Sequence, residues 1–239
     1  MNFCELIMKG YLINLDAEQN RLNSSIQEAN KISIEIVRIA AIDAKTLTNS
    51  SLVTNGVQAA WKSHLKAIQT FLSTNDTHAI ILEDDFKLDD KKEFQKFISS
   101  GMYLHWDMIQ FGFLTTGFDT FLKVWQANFE NSVFRVIHLL FNNRFWDFPK
   151  IKNKLRVRKA SESPRGYIPD DCQPGAHFYL INRRFAQAIL ELNDPQFLSI
   201  DDFYVALSKM RIFKILRSRT SLASQKPFPS WEGNRFING

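Results

Sequence analysis

The most constraining stretch of this sequence is Ala79-Ile80-Ile81-Leu82, an unbroken apolar run that passes directly into Glu83-Asp84-Asp85. A short aliphatic run bounded by polar residues reads as a strand buried on both faces, and such strands belong to sheets covered by helices on each side. The surrounding segments agree. Residues 10–15 (Gly-Tyr-Leu-Ile-Asn-Leu) predict a short buried strand, followed by a polar stretch with helical spacing to Ile32, and the β-branched residues 34–42 predict a second strand. After Thr54-Asn55-Gly56, apolar residues at Val57, Ala60, Trp61, Leu65, Ile68, Phe71 and Leu72, with His64 in the same stripe, mark one face of a helix. Further strands are predicted at 106–112, after an intervening polar helix, and at 175–182, with helices at 183–193 and 200–209. Strands alternating with helices imply a mostly parallel central sheet in a three-layer α/β domain, where ligands bind at the carboxyl ends of the strands. Residues 150–169 read as a charged coil, and 218–239, with Pro227, Pro229 and Gly233, as an irregular tail.

With 239 residues, 45% of them hydrophobic and 23% charged, the chain has the composition of one globular unit with a sizeable core. Its apolar runs fall short of the ~20 residues that a membrane span needs. The first ten residues carry Glu5 and Lys9 and lack the apolar core of a secretory leader, so none is expected. Cys4 and Cys172 are expected to be reduced, in a cytoplasmic compartment. The net charge of +5 is unevenly spread: residues 117–167 hold ten Lys/Arg against four Asp/Glu, and residues 203–239 seven against one, which leaves the rest of the chain acidic. The first of these segments also holds Phe118, Phe121, Trp125, Phe129, Phe134, Phe141, Phe145, Trp146 and Phe148. Basic residues among aromatics suit an anionic partner: nucleic acid, a membrane headgroup layer or a phosphorylated substrate. The alternative is that these aromatics form the core of a small helical cap.

Three consecutive acids at the end of a buried strand repel one another and resist ionisation. A hard divalent cation, Mn²⁺ or Mg²⁺, offsets that cost through oxygen ligands and also binds a diphosphate. An acidic loop opposed by Lys87, Lys91 and Lys92 is the plainer alternative, with equal weight. Asp201-Asp202 stands at a helix start, where one of the two is expected to cap the helix and the other is free to serve as a general base. Ser63 and His64 are adjacent, but neighbours on a helix point ~100° apart, so a nucleophilic pair is discounted. His64 and His177 fit packed core positions as well as ligand positions, and Arg21 fits a phosphate or uracil contact as well as a solvated helix position.

In order along the chain these pieces resemble glycosyltransferase family 25, the lipooligosaccharide biosynthesis and procollagen galactosyltransferase group. The similarity runs from Tyr11 to about Tyr204 and is weakest from about Gly117 to Pro174. Tyr11-Leu12-Ile13-Asn14-Leu15 with Arg21 is similar to the family's opening strand, and Arg38-Ile39-Ala40-Ala41-Ile42-Asp43 to its Arg-x-x-Ala-x-Asp/Gly element. Residues 56–64 resemble Gly-x-x-Gly-Cys-x-x-Ser-His, with Ala59-Ala60 in place of Gly-Cys, and Leu82-Glu83-Asp84-Asp85 matches Leu-Glu-Asp-Asp unaltered. Residues 106–112 resemble the strand after the acidic motif. Residues 175–186 are similar to Gly-x-x-x-Tyr-Leu-Ile-Ser-x-x-x-Ala, with Asn182 for Ser, and Ile200-Asp201 resembles a late apolar-Asp element.

The resemblance implies a nucleotide-sugar domain of the GT-A type over residues 1–239, with 117–174 as a helical, basic and aromatic insertion on the acceptor side. It implies a hexosyltransferase that takes galactose or glucose from a UDP-sugar, with inversion, and passes it to an oligosaccharide or glycolipid such as a lipooligosaccharide. Asp85 with Glu83 would hold Mn²⁺ or Mg²⁺, Asp84 assisting. Asp201, with Asp202 as alternate, would be the general base. Asn14, Arg21 and Asp43 would contact uridine and ribose, and Ser63 and His64 would line the sugar pocket or brace the acids. Trp125, Phe141, Trp146 and the basic cluster 150–159 would dock an anionic inner membrane face, each cation contributing ~1 kcal/mol. Nucleic acid is not an expected partner. The competing reading is a catalytically silent relative that binds sugar or nucleic acid.

Overall fold

The computed structural model describes residues 8–48, 54–114, 163–191 and 199–226, all within one compact unit. Residues 117–162 of the expected helical insertion, including the docking cluster 150–159, and residues 227–239 of the expected tail lie outside the described residues.

The first half alternates as its hydrophobic pattern predicts. Strand β1 (Met8–Asn14) leads to helix α1 (Gln19–Asn30), β2 (Ile34–Ala40), α2 (Asn55–Leu72) and β3 (His78–Glu83). Helix α2 starts where Thr54 accepts the backbone N–H of Val57, the expected role of a threonine at that position. Strand β4 (Phe86–Leu88) and helix α3 (Lys91–Ser99) follow, the latter capped by Asp90. Then come β5 (Met108–Gly112), β6 (Tyr167–Pro169), β7 (Phe178–Asn182), α4 (Arg183–Glu191), α5 (Ile200–Met210), β8 (Ile215–Ser218) and β9 (Ala223–Gln225).

The strands make one sheet in the order β2-β1-β3-β7-β5-β8-β6, with β9 bridging β4 and β5. Strands β1, β2, β3, β5, β8 and β9 point one way, while β7, β6 and β4 run against them. The sheet is therefore mostly parallel, and β7 enters its centre antiparallel to both β3 and β5. The next strand in the chain, β8, is parallel to β5 and so runs against β7, which is therefore not the start of a parallel crossover as the simple alternation implies.

Helices cover both faces. On one side Leu12, Ile80, Leu82, Ile109 and Leu180 form a buried cluster with Ala29 of α1 and with Phe94 and Phe97 of α3. On the other, Tyr11 meets Phe71 of α2 with ring centroids 6.0 Å apart, and Tyr179 meets Tyr204 of α5 at 5.2 Å. Residues 79 to 82 are wholly buried, as a strand covered on both faces requires.

Three local expectations are corrected. Residues 167–169, at the end of the expected charged coil, form β6, which pairs antiparallel with β8. Ser218 and residues 223–225, expected in an irregular tail, belong to strands: β8 gains a parallel ladder with β5, and β9 pairs with β4. Both are too short to show periodicity, and their pairing partners are more than a hundred residues away in β5 and β4. The strand expected from residue 175 begins only at Phe178, because Gly175 adopts φ 111°, which an extended strand does not allow. Among the described residues no helix is long and apolar enough to cross a membrane.

Candidate functional site

Parallel β1, β2 and β3 bring Asn14, the Ala41–Ala44 turn and Glu83 to one edge of the sheet, their shared carboxyl ends. There a cavity of about 440 Å³ opens, lined by the end of β1, by residues 41–44, by the Gly56, Ala59, Ala60, Ser63 and His64 side of α2, and by Glu83, Asp84 and Asp85. The glycine and alanines make the α2 wall shallow, which is what leaves room for a ligand.

The acids form the opposite wall and are neutralised from within the chain. Arg21 reaches from the first turn of α1 to ion-pair with Asp84 and lies 3.5 Å from Asp85, its side chain only 12% exposed. It is therefore not a solvated helix residue. Asn14 donates from Nδ2 to Asp84 Oδ2 at 2.7 Å and accepts the Nε–H of Arg38 on Oδ1 at 3.0 Å. Ser25 Oγ donates to the carbonyl of Asp84 at 2.7 Å, so α1 holds both the backbone and the carboxylate of this residue. Burial pushes the Asp84 carboxyl above its usual range, and Arg21 and Asn14 pull it back. Of the lysines in the acidic-loop reading, Lys87 lies 3.7 Å from Asp89.

Glu83 is held separately. His64, buried on the apolar stripe of α2, has Nε2 3.2 Å from Glu83 Oε1 and Nδ1 2.9 Å from the Tyr179 hydroxyl. Tyr179 in turn lies 3.0 Å from the Tyr204 hydroxyl. A carboxylate only accepts, so Nε2 carries a proton and donates it to Glu83. His64 is thus at once a satisfied core residue and a brace for the acids. Ser63, its neighbour, donates to the carbonyl of Ala59 at 2.6 Å and accepts the N–H of Ile42 at 2.8 Å, pinning the turn after β2 to α2. Ser63 and His64 serve different partners, in keeping with their angular separation. Asp43 is exposed at the rim and accepts the N–H of Lys45.

Asp201 and Asp202 divide their work. Ser199 accepts the N–H of Asp202 at 3.1 Å and donates to its Oδ2 at 2.7 Å, so Asp202 belongs to the cap of α5. Asp201 turns elsewhere: its Oδ2 accepts the N–H of Gly175 at 3.0 Å. Burial, reinforced by the nearby charge of Glu83, pushes its carboxyl up to about 7. His177 is a packed residue: wholly buried, it lies 3.0 Å from the carbonyl of Ala223 through Nε2, and burial lowers its pKa.

Sequence pattern assigns no role to several residues that the fold places here. Tyr179 and Tyr204 bury hydroxyls in otherwise apolar faces, a signal visible in retrospect as a polar atom inside a core pattern. Gln225 and Lys226 carry no such signal. Strand β9 sets the Gln225 amide 3.4 Å from Glu83 Oε2, and Lys226 donates its N–H to the carbonyl of Asp85 at 2.6 Å and its ammonium to Ser24 Oγ at 2.6 Å.

Among the described residues no three His, Cys, Asp or Glu side chains converge as a ready metal site. The donor set fits a cation of another kind. Glu83 and Asp85 offer hard carboxylate oxygens at the cavity wall, and Mg²⁺ and similar ions at nucleotide sites are held by one or two carboxylates while phosphates and water complete the shell.

The model of a family described as glycosyltransferase family 25 (LPS biosynthesis protein) matches residues 7–204, most of the chain. No curated protein matches it.

Proposed function

The chain belongs to glycosyltransferase family 25, and we propose that it is a metal-dependent, inverting hexosyltransferase with a GT-A-type donor site, moving galactose or glucose from a UDP-sugar to a saccharide acceptor such as a lipooligosaccharide. The observation that carries this reading is the cavity at the carboxyl ends of β1 to β3, where Asp84 and Asp85 meet the guanidinium of Arg21 and Glu83 lines the same wall.

A nucleoside diphosphate leaves with negative charge on its oxygens, and groups that stabilise that charge lower the barrier. Arg21, paired with Asp84 and Asp85, would also meet a diphosphate. Asp85 and Glu83 would hold a divalent cation, which when bound neutralises charge on the leaving diphosphate. Asn14 and Asp43 border the part of the cavity assigned to uridine and ribose, and the small residues of α2 leave it space. Ser63 keeps the turn after β2 in register with α2, and His64 keeps Glu83 directed at the cavity.

Asp201 is proposed as the general base. It takes the proton of the acceptor hydroxyl as that oxygen bonds to the anomeric carbon, while the bond from that carbon to the diphosphate breaks and its electron pair departs with UDP. A carboxyl that titrates near 7 is matched to this task at neutral pH. Residues 117–174 are proposed as the acceptor side, with docking of their basic aromatic part on anionic lipid.

The test is turnover of a UDP-sugar panel with manganese, with magnesium and with a chelator. Turnover of UDP-galactose or UDP-glucose that vanishes on chelation supports the reading. Chelator-insensitive turnover removes the cation, and an inert panel favours a silent sugar-binding relative. Failure to co-sediment with anionic vesicles at low salt would remove the membrane contact.

A further inference from the structure

Gln110 sits in β5 at the centre of the sheet, 2% exposed, and its carboxamide is spent on one loop. Nε2 donates to the carbonyls of Gln173 at 2.7 Å and Gly175 at 2.6 Å. Oε1 accepts the N–H of Gln173 at 2.9 Å and the thiol of Cys172 at 3.1 Å. Both donors and both lone pairs are thereby used within residues 172–175. At the end of this loop Gly175 stands at φ 111°, and a Cβ there would come within 2.9 Å of the backbone nitrogen of Leu114. Only glycine takes this conformation without strain, and it is the conformation in which the Gly175 N–H meets Asp201 Oδ2 at 3.0 Å.

We infer that Gln110 is a positioning residue for Asp201: by fastening residues 172–175 it aims the Gly175 N–H at that carboxylate and sets where it stands. The inference rests on the reading of Asp201 as base. A backbone N–H bonded to a carboxylate favours its ionised form, so the loop governs both the placement and the ionisation of Asp201. A merely structural glutamine would affect stability alone.

The pH dependence of kcat/KM for turnover of UDP-galactose and UDP-glucose, with manganese, separates the two. In Gln110→Met and Gly175→Ala the acid limb is expected to move up by about half to one pH unit, with the donor KM within about twofold of the unsubstituted protein. Limbs that superimpose would overturn the inference. Carboxyl NMR titration of Asp201 in the same variants reads the same shift without turnover. Hydrogen exchange of the Gly175 amide in Asp201→Ala needs no change in the core: exchange about tenfold faster is expected once the acceptor is gone, and unchanged exchange overturns the inference even if the buried variants do not fold. Should Asp201→Asn retain full turnover, the base reading fails, while the NMR titration still decides whether Gln110 governs this carboxyl.

Discussion

Two sets of acids have different partners. Asp84 and Asp85, at the end of β3, are met by the guanidinium of Arg21 and the amide of Asn14, all from the first β-α unit. Asp201, at the start of α5, is met by a neutral backbone N–H from a loop that β5 holds in place. In the first arrangement an ion pair and an amide offset part of what burial does to the Asp84 carboxyl. The second leaves a carboxyl titrating near 7, as a proton acceptor requires. The same residue type acquires two characters from its partners.

The largest expected effect falls on the second group. Asp201→Asn should lower kcat by about 10²–10⁴-fold, the usual worth of a positioned base, with little change in donor KM. A loss confined to KM would erase the contrast, since Asp201 would then be a binding group like the others.

Next in size is the first group. Arg21→Met leaves Asp84 and Asp85 buried without their cation, and breaking a buried pair costs about 3–5 kcal/mol. For a chain of this size that is a fall in Tm of about 10 °C or somewhat more, measured by calorimetry. If Tm is unchanged, the acids are compensated by something other than Arg21.

The pH profile sharpens the comparison further. The base must be ionised, so kcat/KM should rise about tenfold per pH unit below about 7 and level off above it. The Asp201→Asn variant should lack that limb. A limb near the ordinary carboxylate range, at about 4, would mean that Asp201 does not set it.

A smaller effect is expected in the link between the two groups. Tyr179→Phe removes the hydroxyl lying between His64 and Tyr204, leaving buried polar atoms without it, at about 1–3 kcal/mol. Denaturant unfolding measures the loss, and a several-fold drop in kcat is expected if His64 directs Glu83. Smallest is Ser199→Ala, which removes the cap of α5 and its bond to Asp202 for about 1 kcal/mol. A drop in kcat comparable to that of Asp201→Asn would show that Asp202 is more than a cap.

The α2 helix was legible because apolar residues from Val57 through Trp61, Leu65, Ile68 and Phe71 repeat at helical spacing along most of its eighteen residues. The acids at 83–85 were legible because burial and charge conflict there. Residues 223–226 were not, because a three-residue strand has no period and its neighbours Phe86 and Asp85 are remote in sequence. The antiparallel insertion of β7 was hidden for a related reason: Phe178-Tyr-Leu-Ile-Asn is equally apolar in either direction, and a strand buried on both faces carries no mark of its orientation.

By itself the sequence determined the α/β alternation, the place of the acids at a strand end and the order of motifs that identifies the family. These are local: they depend on spacing along the chain, on which propensity and hydrophobic periodicity act directly. Only the tertiary structure decided that Arg21 compensates Asp84 and Asp85, that Asp202 caps while Asp201 faces Gly175, and that Gln110 holds the loop between them. Hydrogen bonds and ion pairs act over about 3 Å between groups that the sheet order brings together from distant parts of the chain, and side chains of one residue type are distinguished by what then stands beside them.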